Sequence, residues 1–255
     1  PPYEDIGMEI PLISKRQFNR FKKFLPVPSN AEKICARVVI SCANWVTKHG
    51  RSWSEIPEKY GKFDTIRKRF ARWSKSGAFR DVFTSLAAKA GKSNIAMIDS
   101  TTIKAHRTAA SMRCDGEHRQ VGRSVGGLTT KIHMIANIEK MPLDFCLTGG
   151  QVNDAKEEYE IIKRNQFRMK YLLADKAYDT DKIRQNCSTY GTKTCIPPKC
   201  NRISPAKYDS ELYKKRRIIE NMFGQLKDWR GIAMRFCRCA HTFDSFVCLA
   251  LEVIP

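Results

Sequence analysis

The chain has 255 residues, with 46 Lys and Arg against 26 Asp and Glu and a formal net charge of +20 at pH 7. That excess is too basic for an ordinary cytosolic metabolic enzyme. A hydrophobic content of 42% supplies enough apolar surface to offset chain entropy, which excludes wholesale disorder.

At this length one medium domain and one small one can each bury a core. No stretch reaches the roughly 18 apolar residues of a bilayer crossing, and Pro1 to Leu25 lacks the layout of a secretion signal. A soluble, intracellular protein with no membrane partner is expected. Residues 1–90 and 91–255 each carry a net +10. Both parts are therefore drawn to a polyanion, and nucleic acid is the commonest large one in a cell.

The ten cysteines are expected to be reduced thiols. Cys195 with Cys200 and Cys237 with Cys239 lack the paired knuckles of a structural zinc site. His106 and His133 read as structural or DNA-facing rather than as metal ligands.

The first elements are helical. Ser14 to Leu25 places Phe18, Phe21, Phe24 and Leu25 at helical spacing behind a Ser14 N-cap. A second helix is predicted over Asn30 to Lys48, capped by Asn30 and closed by Gly50, with Ile34, Val38, Cys42 and Trp45 on one stripe. Ser52 to Tyr60 predicts a short third helix before Gly61.

The fourth helix turns Phe63, Ile66, Phe70 and Trp73 inward and sets Arg67, Lys68, Arg69, Arg72 and Lys75 on the opposite face, stopping at Gly77. Short helices, a tight turn and a basic amphipathic helix are the layout of a helix-turn-helix reader, whose cations meet phosphates or guanine edges. A solvated basic face on a core helix is the alternative. Residues 80 to 92 continue the helical pattern. The small polar segment Ala90 to Asn94 marks a boundary between a helical domain, 1–92, and a second domain, 93–255.

The second domain alternates strands and helices. Asn94 to Ser100 is a short apolar run ending in an acid. Leu128 to Ile138 and Met141 to Thr148 read as a hairpin, followed by a helix over Asp154 to Arg164. Tyr171 to Asp175 is another apolar run ending in an acid. Then come a helix over Asp179 to Cys187, a strand over Lys193 to Ile196, and one long helix over Asp209 to Trp229. This order predicts an α/β domain, a mixed five-stranded sheet flanked by helices.

Asp99 and Asp175 each close a strand, so their carboxylates can emerge together at one end of the sheet. Buried like charges persist together only when a cation neutralises them, and oxygen-only ligands select magnesium or manganese. Glu220, within the run after Lys214, Lys215, Arg216 and Arg217, offers a third carboxylate. Asp99 as an N-cap and Glu220 paired with Arg216 or Arg217 are the alternatives. Asp144, Asp154, Asp179 and Asp181 are rivals at turns or helix starts.

Three stretches carry a resemblance: Met97-Ile98-Asp99-Ser100-Thr101, the basic glycine-bearing run Gly122 to His133, and Leu173-Ala174-Asp175-Lys176-Ala177-Tyr178-Asp179. To these is added the spacing of Tyr213, Arg216, Glu220 and Lys227. The chain resembles a DDE transposase of a bacterial insertion sequence, of the IS-five type, from about residue 12 to 250.

The resemblance implies an RNase H-like fold with Asp99, Asp175 and Glu220 as a catalytic triad holding two divalent ions, Mg2+ or Mn2+. It implies cleavage at element ends and transfer of the freed 3′-OH to target DNA by two-metal phosphoryl transfer. Its partners would be double-stranded DNA, both terminal inverted repeats and target, and a second copy of the chain or more. Its place would be the bacterial cytoplasm, at the nucleoid.

Only 45 positions separate Asp175 from Glu220, so no large inserted domain fits between them. Arg216 and Lys227 are expected at DNA-end phosphates and Tyr213 stacked or hydrogen-bonded there, with Arg123, Lys131, Arg67, Lys68 and Arg72 as further DNA contacts. Lys104 to Arg123, with Arg107, Arg113 and Arg119, reads as a mobile DNA-contacting loop; a merely solvated loop is the alternative. A non-catalytic DNA-binding regulator, or a nuclease or resolvase without strand transfer, are the other functional readings.

Overall fold

The computed structural model describes residues 9–26, 34–89, 93–111, 120–151, 154–166 and 169–253. Helix α1 (Lys15–Lys22) starts at Ser14, whose hydroxyl accepts from the Gln17 amide while the Gln17 side chain accepts from the Ser14 amide at 2.9 Å. Helix α2 (Ala36–His49) begins after Cys35 and ends at Gly50, whose φ of 65° suits glycine. Asn30, the expected cap, lies outside the described residues, as does Gly91.

The expected third helix is instead two 3₁₀ turns, Trp53–Glu55 and Glu58–Tyr60. Pro57 between them has no N–H with which to continue a helix. Helices α3 (Phe63–Lys75) and α4 (Ala78–Lys89) are joined by Ser76 and Gly77. The expected turn at Gly61, with a φ of 106°, leads from the second 3₁₀ turn into α3, and residues 50–62 separate α3 from α2. The basic helix α3 thus follows its short turn as in a helix-turn-helix layout, but the element before that turn is 3₁₀ rather than an α-helix.

The second segment runs β1 (Ser93–Ala105), α5 (Arg107–Ala110), β2 (Gly122–Ser124), β3 (Gly127–Asn137), β4 (Pro142–Gly149), α6 (Asp154–Asn165), β5 (Met169–Leu173), α7 (Asp181–Thr189), β6 (Lys193–Cys195), α8 (Ser210–Tyr213), α9 (Arg217–Lys227), α10 (Arg230–Ala233), β7 (Met234–Arg235) and α11 (Ala240–Val253). The expected mixed sheet is present in the order β4-β3-β1-β5-β6. It is antiparallel from β4 to β1 and parallel from β1 to β6, which is the RNase H-like arrangement. Strands β2 and β7 extend it, β2 on β3 and β7 beside Lys104 and Ala105 of β1.

The single long helix expected over Asp209 to Trp229 is broken. A 3₁₀ turn at Lys214–Arg216 separates α8 from α9. Four consecutive cations, Lys214 to Arg217, stand at the start of α9, where the helix dipole already places positive charge.

Pairing sorts the side chains onto two faces. Ala96, Ile98 and Ile135 pack with Ile161 and Ile162 of α6 and Ile183 of α7. Met97, Ile103 and Met134 pack on the other face in one continuous core with α2, α3, α4, α9 and α11. Phe70 of α3 stacks on Phe246 of α11 with ring centroids 5.0 Å apart, and lies 4.9 Å from Phe79 of α4. Arg80 of α4 pairs with Asp244 of α11 and sits 3.7 Å over the Phe145 ring of β4.

At one point helix meets helix with no side chain between them. A Cβ on Gly231 would stand 2.7 Å from the Thr47 carbonyl oxygen of α2, whereas one on Gly224 of α9 would meet nothing within 4 Å. Gly231→Ala should therefore cost about 1–3 kcal/mol. Gly224→Ala should be neutral or gain up to about 1 kcal/mol through helix propensity. Urea unfolding of the two variants checks this, and equal midpoints would contradict the close contact. No described helix is long and apolar enough to cross a membrane.

Candidate active site

The register of the sheet sets two acids side by side. Met97 is paired with Leu173 in the parallel ladder, so Asp99 and Asp175, each two residues further on, leave neighbouring strands at one level and on one face. Asp99 does not close its strand as expected. Strand β1 runs on to Ala105, because Thr101, Thr102 and Ile103 are strand formers and β7 pairs with the extension. It is β5 that stops, leaving Asp175 to cap the 3₁₀ turn Lys176–Tyr178 by accepting from the Ala177 amide.

Asp99 is 19% exposed at its side chain and accepts from the Ser100 amide at 2.9 Å. Burial, and after it the charge of Asp175, raise its carboxyl above the ordinary value; Arg216 and the Ser100 N–H pull the other way.

Arg216 links these acids to α9. Its Nη2 lies 2.7 Å from Asp99 Oδ2, and its Nη1 lies 3.4 Å from Glu220 Oε1 and donates to the Tyr213 hydroxyl at 3.3 Å. Its Nε is buried without a hydrogen-bond partner. The structure thus brings Tyr213, Arg216 and Glu220 together with Asp99. Arg216 faces an acid of the sheet rather than open solvent where a phosphate was expected. Glu220, on the first turn of α9, remains 52% exposed. Lys227 is exposed roughly 10 Å further along α9.

Of the rival acids, Asp144, Asp179 and Asp181 are occupied by structure, while the side chain of Asp154 lies outside those described. Asp179 is buried, 2.7 Å from Arg184 Nε and 3.2 Å from Arg202 Nη1, and accepts from the Lys199 amide at 2.8 Å. Burial alone would raise its carboxyl, but these donors hold it below the ordinary value. Asp144 accepts from Arg164 and Asn165, and Asp181 pairs with Arg202.

The expected DNA-contacting cations divide. Arg67 and Lys68 are exposed but share Asp64, at 2.7 and 2.6 Å, while Arg72 and Lys75 are exposed at the end of α3. Arg69 is not on the solvent face. It is 5% exposed, donates to the Ile34 carbonyl and lies 4.7 Å over the Trp73 ring. Phe63, expected inward, is 42% exposed.

Arg123, paired with Leu128 in β2, is exposed on the face that carries Asp99; Lys131, paired with Thr102, is on the opposite face. The expected loop from Lys104 to Arg123 begins as the end of β1, continues as α5 and finishes in β2, while Arg113 and Arg119 lie outside the described residues.

Behind the acids lies a polar cluster that sequence patterns did not disclose. His133 is fully buried, with Nε2 3.0 Å from Thr148 Oγ1 and Nδ1 3.8 Å from Glu158. Burial and Glu158 hold the Tyr178 hydroxyl well above its ordinary pKa. Only the pairing of His133 with Ser100, invisible in a linear pattern, puts this cluster next to Asp99. His106 caps α5. None of the nine described cysteines is in a disulfide, and among the described residues no three His, Cys, Asp or Glu are grouped to hold a metal ion.

Comparison with known proteins places the chain. Residues 90–251 match the family described as "Transposase DDE domain", and residues 13–83 match "Putative transposase of IS4/5 family". Over 129 residues the chain is 32% identical to a Brucella ovis protein named "Putative transposase for insertion sequence element IS6501", spanning 50% of this chain and 98% of that protein. It is 28% identical over 100 residues to protein y4sN of Sinorhizobium fredii, spanning 38% of this chain and 79% of that one. A solved pre-cleavage Mos1 transpososome aligns at 12% identity over 98% of this chain and 90% of that chain, with a TM-score of 0.28 that is too low to weigh. With its sheet and following helices matched over residues 90–251, the chain belongs to the DDE transposases of the IS4/5 type.

Proposed function

We propose that this transposase cuts at the ends of its insertion sequence and joins the freed 3′-OH to target DNA at Asp99, Asp175 and Glu220. The observation that supports this reading is the parallel register that sets Asp99 beside Asp175, with Glu220 tied to them through Arg216.

The donor set suits a divalent ion. It is all carboxylate oxygen, and burial first and then the charge of Asp175 raise the Asp99 carboxyl, a penalty that a bound cation would relieve. Asp99 and Asp175 would hold the metal from the sheet. Glu220, exposed and paired with Arg216, would supply the third carboxylate.

When bound there, two divalent ions, magnesium or manganese, would supply a lowered pKa for an attacking water or 3′-hydroxyl and a counter-charge for the leaving oxygen. The protein's own part is positioning. Arg216, with a buried Nε still to be satisfied, turns from Asp99 to a phosphate oxygen of the DNA end, a charge-assisted contact that arginine makes in two-pronged fashion. Tyr213 holds that guanidinium in place from the α8 side, and Lys227 meets a phosphate further along the same strand.

Residues 1–92 bind the terminal inverted repeats, with Arg67, Lys68 and Arg72 of α3 on phosphates, and residues 93–255 form the catalytic domain. Arg123 extends the DNA track on the acid-bearing face, and Lys131 contacts DNA from the other side of the hairpin. Bringing two ends together calls for two copies of the chain at least, acting on DNA in the bacterial cytoplasm.

A duplex carrying the element's terminal repeat, incubated with the full chain and magnesium, should be nicked at the repeat boundary. A pre-cut duplex with a free 3′-OH should be joined to plasmid DNA. Binding without any metal-dependent nick would instead favour a regulator, and nicking without joining a nuclease.

A further inference from the structure

A cavity of about 500 Å³ lies where the end of α3, the start of α11 and Gln120 meet. The Gln120 carbonyl accepts from Thr130 Oγ1 at 2.5 Å, and Thr130 is paired with Ile103. Ile103 is four residues along β1 from Asp99, roughly 13 Å at the strand rise. The cavity is therefore separate from the acids.

Two polar side chains in its wall are unsatisfied. Ser74 is 4% exposed and its hydroxyl has no hydrogen-bond partner. The other buried helical hydroxyls, on Ser41, Thr47 and Ser245, each donate to the carbonyl four residues back at 2.8 to 2.9 Å. Ser74 forgoes that bond and lines the cavity instead. Gln120 likewise has a buried Oε1 without a partner, and its backbone is held at a φ of 50°, in the left-handed region. A buried polar group left unpaired is destabilising, so two of them on one cavity mark a place where a ligand supplies what the fold does not.

The surrounding charge selects the ligand. Lys75 is exposed at the end of α3. Helix α11 is 14 residues long with no acid in its first turn, and Ala240 and His241 of that turn line the cavity. The positive end of its dipole and its first amides, which have no partner within the helix, therefore stand at the wall. The carboxylate there, Asp244, is already held through both oxygens by Arg80. A cation, a hydroxyl, a carboxamide and a helix N-terminus together make the donor set of a tetrahedral oxyanion.

We infer that this cavity binds a phosphate group. Lys75, the Ser74 hydroxyl and the first amides of α11 donate to its oxygens, and the Gln120 carboxamide turns its NH2 to the same group. The phosphate is a phosphodiester of DNA or a free phosphate with the same oxygens. The DNA source rests on the transposase reading and adds to it a contact that joins α3 to the sheet-bearing segment; the free source stands without it.

Ser74→Ala removes a hydroxyl that no other group of the protein uses, so its urea midpoint should be unchanged or raised. Titrated in EDTA with a duplex carrying the terminal repeat, this variant of the full chain should bind about tenfold more weakly than the natural chain. Lys75→Gln should also bind more weakly, with a slope of log affinity against log salt smaller by about one. In a second arm without DNA, the chain is melted in inorganic phosphate and in chloride at equal ionic strength. Unchanged duplex binding by both variants, with phosphate raising the melting temperature of the natural chain but not of Ser74→Ala, would keep the site and assign it to free phosphate. No difference between the natural chain and Ser74→Ala in either arm, or a lowered urea midpoint for that variant, would overturn the inference while leaving the transposase reading in place. A natural chain that binds no repeat-ended duplex would overturn the transposase reading, and the phosphate arm would then decide the cavity alone.

Discussion

Asp99→Asn is expected to lower cleavage of a repeat-ended duplex by at least about a thousandfold, equivalent to roughly 4 kcal/mol of transition-state stabilisation. Affinity for the same duplex should be unchanged or slightly improved. The substitution keeps the size and the acceptor that takes the Ser100 amide, but removes the charge that faces Arg216 at 2.7 Å and stands beside Asp175. A phosphate approaching Arg216 would then meet one negative charge fewer, so binding does not suffer while the carboxylate cluster is broken. Gel-shift and nicking assays on one preparation separate the two effects. Undiminished cleavage by the variant would remove Asp99 from the chemistry.

Phe70→Ala should be the most destabilising single truncation in the helical segment, at about 3–5 kcal/mol. Its ring is fully buried against Phe246, Phe79 and Trp53. Because Phe246 belongs to α11, the loss falls on the whole molecule. Calorimetry should record a single transition shifted down by roughly 10 °C, with the signal of the sheet lost together with that of the helices. Two separated transitions, only the first of them shifted, would mean that the helical segment melts by itself.

Much of this was legible in the sequence where a period or a stop signal had no competitor. The Ser14 cap, the αL turn at Gly50, the hairpin of β3 and β4 and the helix at α6 stand close to where alternation and helical spacing put them. Asp99 and Asp175 stood out because acids at the edge of apolar runs are rare in a core. Their juxtaposition, however, depends on a pairing between strands far apart in the chain.

What was hidden follows the same logic. Arg69 has the spacing of a core position as well as that of a basic stripe, and only the Trp73 ring and the Ile34 carbonyl decide in favour of burial. The turn at Lys214–Arg216 interrupts a pattern that reads as one continuous helix. The spacing of Tyr213, Arg216 and Glu220 nevertheless brings the three together, because the shorter turn still leaves them within reach of one guanidinium.

The backbone contact between Gly231 and Thr47 also bears on distance measurement. With α10 seated on α2 and Arg80 paired with Asp244, the cations of α3 and the carboxylates of the sheet stand on elements packed into one continuous core. Under the proposed function, a nucleic acid held at one of these points would reach the other at an offset dictated by protein dimensions, so the incision point would be chosen as with a ruler, by length rather than by reading the bases there.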